Sequence, residues 1–335
     1  MATATKADFT DLAEDFGQKW NRFWFAPASS LPMCVLRILV GLLAAAHFLE
    51  LGQGLNIWCA NDGVVPPAAV RRLLELTSSG TEYRYSYLNG LPASSALLVI
   101  HVLAIVASLM FAVGLLTRIS GLLTLAALLA YVHRIPQVAG HAEPVLSFLI
   151  AYLCIAPSGA WLSLDRRLFG SSKDNATLRI VLGAADAPVA ANVALRLTQV
   201  HLAMFYAMMG LTKLYGDAWW EGSAVWILLA QTQSRPLDLT SIRRWGQIGE
   251  YVVNFWTHAI VYFELAFGIL IWTRIGRPIL LWLSVLIWAS VILVTGQLLF
   301  GLTMLAANVA FLPAKAFEPL VPRSRAAQEP TAVAA

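Results

Sequence analysis

The stretch ASSALLVIHVLAIVASLMFAVGLL, residues 93–116, decides the fold class. It contains no Asp, Glu, Lys or Arg, and it is longer than the roughly 20 apolar residues that a helix needs to cross a bilayer. The whole chain has the same character, because 59% of its 335 residues are hydrophobic and only 13% are charged. Soluble domains carry about 25% charged residues. We therefore predict an all-α, polytopic transmembrane helical bundle, and we expect its partners to include the lipid bilayer that surrounds it.

Working outward from this stretch, the sequence contains further apolar segments on both sides. The last two predicted spans share residues 278–313 and separate at Thr295-Gly296-Gln297. This last pair also fits one broken helix followed by a re-entrant segment. With 93–116 counted as the second, we predict about eight spans. The other predicted spans are 31–51, 120–132, 144–156, 193–214 and 251–272.

Lysine and arginine are distributed unevenly between the two sides of this arrangement. If the N-terminus lies in the cytoplasm and successive spans alternate, most Lys and Arg residues outside the spans fall in cytoplasmic loops and ends. This bias orients membrane proteins. We therefore predict that both termini are cytoplasmic, and that the chain resides in a cell membrane, specifically a bacterial inner membrane.

The composition divides the chain into three parts. Residues 1–30 are predicted to form an amphipathic segment at the cytoplasmic interface, because their aromatic residues fall near helical spacing. Residues 31–313 form the predicted transmembrane domain. Residues 314–335 are rich in Ala, Pro and Arg, and we predict a disordered cytoplasmic tail. The aromatic residues of the first part are Phe16, Trp20, Phe23 and Trp24.

Ionisable residues gather on the predicted outer side. Two outer loops, 52–92 and 215–250, are large enough to cap a bundle but too small for separate domains. Lys213 lies at the outer end of the fifth span. All histidines except His201 fall in the outer half of a span or in an outer loop, so a site is expected there. They are His47, His101, His133, His141 and His258.

Two polar stripes follow from helical geometry. On the fifth span, Gln199, Tyr206 and Lys213 are seven residues apart and lie nearly above one another. On the sixth span, a second stripe contains His258, and Glu264 lies off it and deeper. Since polar groups within spans normally face the protein interior, we predict that both stripes face inward. The second stripe consists of Tyr251, Asn254, His258 and Tyr262.

Structural roles compete with functional ones for each of these residues. Lys213 lies near Trp219 and Trp220, so its ammonium can extend to the membrane interface without any further role. His258 and Glu264 can serve as hydrogen-bonding contacts between helices. These alternatives stay open at this point.

Two further polar groups have structural interpretations of the same kind. His47 and Glu50, three residues apart on one helical face, are typical of a structural hydrogen bond. Arg37, a short way into the first span, is expected to extend to the cytoplasmic interface or to pair with a carboxylate such as Asp165.

Several function classes lack their sequence signals. The net charge of +4 is small and scattered, so we expect no nucleic-acid partner. The histidines have no close metal-ligand spacing, and we expect no metal. We find no phosphate loop, nucleophile elbow or redox cysteine pair. The three cysteines, Cys34, Cys59 and Cys154, form no evident disulfide framework.

A set of short strings, in a fixed order, is more specific than periodicity. The strongest block is LRLTQ (195–199), followed by Tyr206, GLTKL (210–214) and WWEG (219–222). Together the strings resemble the HTTM (horizontally transferred transmembrane domain) family, which includes the membrane part of vitamin K-dependent γ-glutamyl carboxylase. The resemblance covers roughly Trp20 to Pro313. Weaker strings in the same order are NDGVVP (61–66), TRIS (117–120) and SLD (163–165).

The resemblance implies a chemistry and a set of residues. In the carboxylase, a lysine in the matching block is the base that deprotonates a reduced quinone within the membrane, and Lys213 matches it here. A histidine after the third span assists, and His141 is its match. A lysine held away from water suits this role, because desolvation disfavours its ammonium form. The substrate-binding residues predicted beside these two catalytic residues are Tyr206, His258, Gln199 and Trp219.

The sequence departs from the carboxylase in two places. The carboxylase carries a large lumenal domain after its membrane part, whereas this sequence ends soon after Pro313. We therefore expect no domain for docking a peptide substrate. A histidine that is common in the late spans of the family is matched here by Trp288.

Two functions are compatible with these observations. The first is quinol epoxidase or carboxylase-like chemistry on a lipid quinol, with a reduced, vitamin K-like quinone as cofactor. The second is non-enzymatic: a membrane partner in export, maturation or immunity for a secreted peptide or protein. A transporter is a weaker third interpretation, because the sequence has no evident internal repeat.

Overall fold

The computed structural model describes residues 2–76, 85–91, 94–136, 138–169, 176–231 and 236–320. Over these ranges the regular structure is helical, so the protein is all-α. Short 3₁₀ segments lie between some of the helices. The α-helices are α1 (Ala2–Phe25), α2 (Leu31–Gly52), α3 (Leu55–Cys59), α4 (Pro67–Leu76), α5 (Ser94–Val113), α6 (Thr117–Arg134), α7 (Ala142–Ile155), α8 (Leu164–Phe169), α9 (Ala176–Val181), α10 (Pro188–Lys213), α11 (Asp217–Trp220), α12 (Ala224–Ala230), α13 (Gln247–Leu270), α14 (Gly276–Thr295) and α15 (Leu298–Asn308).

Each segment predicted to be a span forms a helix. The predicted segments 31–51, 93–116 and 251–272 correspond to α2, α5 and α13, with ends that differ by a few residues. The predicted break in the last segment is confirmed, because α14 ends at Thr295 and Gly296 adopts a left-handed conformation with φ +72°. Glycine tolerates this conformation without steric cost, which allows the chain to turn before α15 begins.

Four described helices are long and apolar enough to cross a membrane: α2, α5, α13 and α14. The bent helix pair Leu298–Phe311 and Ala314–Leu320 adds a fifth if it forms one span. Large apolar side chains of these helices point outward; Leu103 of α5 is 59% exposed and Trp282 of α14 is 77% exposed. A water-soluble surface rarely carries such apolar faces, whereas lipid accommodates them. These features indicate a multi-pass membrane protein.

The predicted total of eight spans is larger than the four or five candidate spans of the described helices. The helices α6 and α10 contain more polar residues, and α7 is a shorter apolar helix. For example, Arg118 and Arg134 lie within α6, and Asn192 and Arg196 lie within α10. Polar groups lower the mean apolarity of a helix but do not prevent it from spanning when they face protein. The eight-span topology and the position of the termini therefore stay predictions.

The contacts divide the chain into two compact units. The first contains Met1–Gln137, Ser147–Leu197 and Leu312–Ala335, and the second contains Val138–Leu146 and Thr198–Phe311. In the first unit α2 packs closely on α5, since a Cβ at Gly41 would lie 2.7 Å from the backbone of Ala112. Small residues commonly bring membrane helices into such close contact.

Arg37 in α2 is fully buried in the first unit, and its predicted extension to the interface is wrong. Its guanidinium donates hydrogen bonds to the backbone carbonyls of Ser158 and Leu162, each at 2.5 Å, and to that of Ala112 at 3.4 Å. Asp165, the predicted partner, is also fully buried. The guanidinium can lie inside because main-chain carbonyls accept hydrogen bonds from its two terminal nitrogens.

Asp165 instead caps the helix α6. Its carboxylate accepts hydrogen bonds from the backbone N–H groups of Leu116 and Thr117, at 2.7 and 2.8 Å, and from the Thr117 hydroxyl at 2.7 Å. A carboxylate at a helix N-terminus satisfies free N–H groups and interacts favourably with the helix dipole. The strings SLD and TRIS are therefore in contact in the fold, through Asp165 and Thr117.

The outer polar groups predicted near the first span are divided between interior and surface. His47 is buried, whereas Glu50 is exposed. His101 is buried in the same unit, and its Nδ1 lies 3.0 Å from the hydroxyl of Tyr131. These side chains form part of the packing of α2, α5 and α6.

The two ends of the chain were predicted to lie outside the transmembrane domain. The N-terminal segment forms α1, where Phe16 and Trp20 are 66% and 52% exposed and stack with ring centroids 6.1 Å apart. Their exposure fits an interfacial helix, whose placement at a membrane stays a prediction. In the predicted disordered tail, residues 314–320 form a 3₁₀ segment, and residues 321–335 lie outside the described residues.

Candidate functional site

The second unit contains a core that joins α12, α13 and α14. Val225 and Leu229 of α12, Val253 and Ile260 of α13, and Val294 of α14 are all buried in it. In a bilayer, such a core is held by close packing, because lipid offers helices little hydrophobic incentive to associate. The core fixes the spacing of three helices around the site described below.

Small residues bring α10 and α13 close together. A Cβ at Gly210 would lie 2.9 Å from the side chain of Leu265, and a Cβ at Gly268 would lie 2.9 Å from the Cβ of Ala207. Because neither glycine leaves room for a larger side chain, the two helices meet at these points. This contact places Lys213, the last residue of α10, within reach of Glu264 on α13.

Lys213 and Glu264 form a partly buried ion pair. The ammonium Nζ of Lys213 lies 2.8 Å from Oε1 and 2.7 Å from Oε2 of Glu264. The side chains are 19% and 4% exposed, respectively. The alternative in which Lys213 extends to the interface is therefore wrong, because its ammonium turns inward to a carboxylate. Charged groups within helical membrane proteins commonly pair in this way.

The ion pair lines a cavity of about 300 Å³ within the second unit. Most of its wall is apolar or aromatic, and a few hydroxyl and amide groups lie among these side chains. Ligand sites are typically concave, mainly apolar and supplied with a small number of polar groups. The lining includes Phe205, Trp219, Trp256, Ile260, Trp288 and Phe300, with Thr212, Ser290, Thr295 and Gln297 as polar members.

Trp219 is held at this cavity by a turn that docks on α13. The hydroxyl of Thr257 donates a 3.0 Å hydrogen bond to the carbonyl of Gly222, whose φ of +74° favours glycine. The indole of Trp219 lies over the ammonium of Lys213, with 5.2 Å between Nζ and the ring centroid. This cation–π contact adds to the ion pair in holding the lysine side chain.

His141 lies immediately before α7 and also lines the cavity. Its ring centroid is 5.4 Å from that of Phe300, which in turn lies 5.0 Å from the ring of Trp288. The structure thus brings together three of the predicted site residues, Lys213, His141 and Trp219, on one cavity. Their catalytic and binding roles stay predictions.

Tyr206 lies behind the cavity and not among its lining residues, contrary to the prediction that it binds substrate. It is fully buried, and its ring stacks on Phe267 with centroids 3.9 Å apart. Its hydroxyl accepts hydrogen bonds from Trp288 Nε1 at 2.7 Å and from Asn308 Nδ2 at 3.0 Å. Because these partners occupy the hydroxyl, Tyr206 holds helices together and fixes the orientation of Trp288.

Gln199 is also placed apart from the cavity lining. Its side-chain amide donates a 2.7 Å hydrogen bond to the backbone carbonyl of Ala310. The predicted stripe of Gln199, Tyr206 and Lys213 does face the interior of the second unit, because each member bonds to a residue there. Among these three, Lys213 alone lines the described cavity.

The predicted stripe on α13 faces outward, and this prediction is wrong. Tyr251 and Tyr262 are 72% and 66% exposed, and His258 is only half-buried. The Nδ1 of His258 lies 2.9 Å from the carbonyl of Asn254, one turn earlier, and the ring is not part of the described cavity lining. The inner face of α13 is formed instead by a mainly apolar row. This row contains Val253, Thr257, Ile260, Glu264 and Phe267.

Two residues of the site were assigned no role at it from the sequence. Glu264 was interpreted only as a contact between helices, although a lone carboxylate in an apolar span is costly unless it is paired. Trp288 stands out in the sequence only as a departure from the pattern of the resemblance, yet it lines the cavity. The charge of Glu264 was the available signal, and its partner lies 51 residues away in sequence.

A second concavity of about 620 Å³ lies in the same unit. It is more polar than the first, and its lining includes Glu221, Arg243 and Glu250 from the predicted outer loop and its junction with α13. All three charged side chains are exposed. Both concavities have buried and exposed lining residues, but only the cavity of Lys213 contains the buried carboxylate of Glu264 among its described lining.

No protein-family model, no curated protein and no solved structure matches the chain. The resemblance to the HTTM family therefore stays a prediction from the quoted strings. The geometry of Lys213, Glu264 and the aromatic cavity carries the functional interpretation.

Proposed function

We propose that this membrane protein binds a lipid-soluble aromatic alcohol, of the reduced quinone class, and that Lys213 removes a proton from its hydroxyl group. The observation that supports this proposal is the ion pair of Lys213 and Glu264 at the wall of an aromatic cavity. A titratable cation held within a mainly apolar concavity is a common feature of sites for acid–base chemistry.

The described cavity suits the ring of such a substrate. Its volume of about 300 Å³ falls at the small end of ligand sites, which are roughly 300–1,000 Å³, and fits a ring system better than a large polar ligand. The indoles of Trp219, Trp256 and Trp288 offer aromatic surfaces for stacking. A lipid tail would remain among apolar side chains or in the bilayer.

The side chains around the cavity divide the work. Lys213 supplies the proton-accepting amine, and His141 orients the substrate oxygen by a hydrogen bond. Trp219 holds the lysine side chain through its ring. Bound reduced quinone would supply a ring that reacts with oxygen. These residues would position that ring and exclude water from the cavity. This assignment keeps Lys213, His141 and Trp219 from the sequence-based set.

The same proposal includes the family and topology. Membership of the HTTM family would account for the lysine block, and eight spans with both ends in the cytoplasm would place Lys213 at the outer side of a bacterial inner membrane. The four apolar helices, with the bent pair, support a multi-pass arrangement.

The experiment is a turnover assay with the protein reconstituted in liposomes. A reduced vitamin K-type naphthoquinone, oxygen, labelled carbon dioxide and a glutamate-containing peptide are supplied, and quinone epoxide and fixed carbon dioxide are measured. We expect Lys213→Ala to abolish epoxide formation. Lys315→Ala is the matched control, because Lys315 is exposed and is not among the cavity-lining residues. Wild-type turnover by Lys213→Ala would contradict the base role.

The groove lined by Glu221, Arg243 and Glu250 favours a second candidate function. Its size and mixed charge suit part of a polypeptide, so the chain would act as a membrane partner in export, maturation or immunity for a secreted peptide or protein. Exported proteins are compared between cells that carry wild type, Arg243→Glu or Lys213→Ala. The partner function predicts that one exported polypeptide is lost with Arg243→Glu alone, and the catalytic function predicts an effect of Lys213→Ala alone.

A further inference from the structure

The contact between Lys213 and Glu264 determines whether Lys213 can accept a proton. An ammonium that makes hydrogen bonds of 2.7 and 2.8 Å to a carboxylate cannot itself accept a proton. If Lys213 acts as a base, its own proton must first move elsewhere. Glu264 is the acceptor that the structure places directly on the lysine nitrogen.

We propose that Glu264 is the store for the proton taken from the substrate, and that the two residues act as one unit. This inference rests on the proposed function of Lys213. Glu264 acts through Lys213, so it is a positioning and proton-holding residue, and Lys213 is the group that contacts the substrate hydroxyl.

The step conserves protons and charge. Lys213 passes one ammonium proton to an Oε of Glu264, which leaves an amine next to a carboxylic acid. The amine then forms a new N–H bond with the proton of the substrate hydroxyl, and the electron pair of the broken O–H bond stays on oxygen. The products are a substrate oxyanion, the Lys213 ammonium and the Glu264 carboxylic acid. The total charge in the cavity is unchanged.

Electrostatics favours the state in which the proton lies on Glu264 over the state in which Glu264 stays ionised. In that case two anions would face one cation in a region of low dielectric, where interactions between charges are strong. The side chain of Glu264 is only 4% exposed, so solvent screens it little. Among the described cavity-lining residues, His141 is the other titratable side chain, and the phenol of Tyr206 lies behind the wall, bonded to Trp288. The carboxyl is therefore the nearest place for the proton.

The proposal is tested by spectroscopy as well as by turnover. The probe is an alkyl-substituted nitrophenol, whose phenolate absorbs visible light, added to protein in lipid nanodiscs. We expect wild type to bind it as phenolate at a pH at which the phenol is protonated in empty nanodiscs. The infrared difference spectrum should show a new C=O band of a protonated carboxylic acid, and that band should be lost in Glu264→Gln.

Two variants identify the group that produces the band. Glu143→Gln is the matched control, because Glu143 is a second buried carboxyl of the unit but is not part of the cavity lining, and the band should persist in it. If Glu264→Gln does not fold, Glu264→Asp replaces it. The shorter acid keeps a carboxyl group, so the band should shift and not disappear.

The outcomes separate this inference from the proposed function. Bound phenolate with no band that depends on Glu264 would overturn the proton-store role and leave Lys213 as base. If wild type binds no phenolate, or if Lys213→Ala binds it equally well, both the base role and the store role are overturned.

Discussion

Arg37 and Lys213 are two cations withdrawn into apolar helices, and the protein stabilises them differently. Arg37 is fully buried, and its guanidinium donates to three main-chain carbonyls. Lys213 is 19% exposed, and its ammonium pairs with the carboxylate of Glu264 beside a cavity. Both arrangements give the cation hydrogen-bond acceptors, but they surround the charge with different chemical groups.

The difference separates a cation of fixed charge from one whose charge can change. A guanidinium stays protonated, and main-chain carbonyls do not take up protons, so the Arg37 cluster has a fixed charge. The ammonium and carboxylate of Lys213 and Glu264 can both change protonation state. A buried ion pair contributes little net stability relative to apolar replacements, so its retention beside a cavity fits a chemical role.

The largest loss of stability is expected for Arg37→Met. The change removes the Arg37 donors from two buried carbonyls and one partly buried carbonyl. We expect the free energy of unfolding to fall by about 4 kcal/mol. Thermal unfolding in detergent measures the loss. Arg118→Met is the control, because Arg118 also donates to two carbonyls but is partly exposed, and it should cost less than about 1 kcal/mol. Equal losses would remove the distinction between a buried and a surface arginine.

A double-mutant cycle tests the other half of the comparison. Lys213→Met and Glu264→Gln should each lower the free energy of unfolding by about 3 kcal/mol, because each leaves a buried charge without its partner. The double variant should recover at least half of the summed loss and remain inactive. Chemical denaturation gives the energies. Strictly additive losses would mean that the two groups are not coupled in the folded protein.

A smaller effect is expected for Tyr206→Phe. Removal of the hydroxyl leaves the donors of Trp288 and Asn308 without an acceptor, which should cost about 2 kcal/mol of stability. Quinol turnover should stay within a few-fold of wild type, since Tyr206 does not line the cavity. Tyr262→Phe, at an exposed tyrosine of α13, should leave stability unchanged. Loss of turnover as complete as in Lys213→Ala would restore Tyr206 to the substrate-binding set.

The smallest expected effect is on ligand affinity, where substitutions of His141 and His258 should give different results. We expect His141→Ala to weaken binding of a reduced naphthoquinone about tenfold, equivalent to about 1.4 kcal/mol, through loss of one hydrogen bond. His258→Ala should bind with unchanged affinity, because its ring lies apart from the cavity lining. Titration of intrinsic tryptophan fluorescence measures both. The opposite order would place the ligand on the outward face of α13.

The positions of the helices were predictable because apolar length and glycine breaks are local properties of the sequence. The segment 93–116 forms α5 almost over its full length, and Gly296 ends α14. The direction that a helical face takes is not local. Periodicity grouped His258 with its neighbours correctly, but it could not show that this face points outward, because the packing partners of α13 lie on other segments.

The site was predictable to the same limited extent. Lys213 and Trp219 came from the strings of the resemblance, and His141 came from its place after the third predicted span. The structure places all three on one cavity. The partners of Arg37 lie 75, 121 and 125 residues away, and that of Lys213 lies 51 residues away. No pattern within one helix reports contacts of that range. The resemblance therefore supplied residues, and three-dimensional packing supplied Glu264.

The close contact at Gly210 and Gly268 fixes the register of α13 along α10. A slide of α13 along α10 by one turn, about 5.4 Å, would move the carboxylate of Glu264 out of reach of the Lys213 ammonium. A Cβ at either glycine would force the helices apart or along each other. Gly210 and Gly268 do not line the cavity, yet their close packing fixes the distance between the Lys213 ammonium and the Glu264 carboxylate.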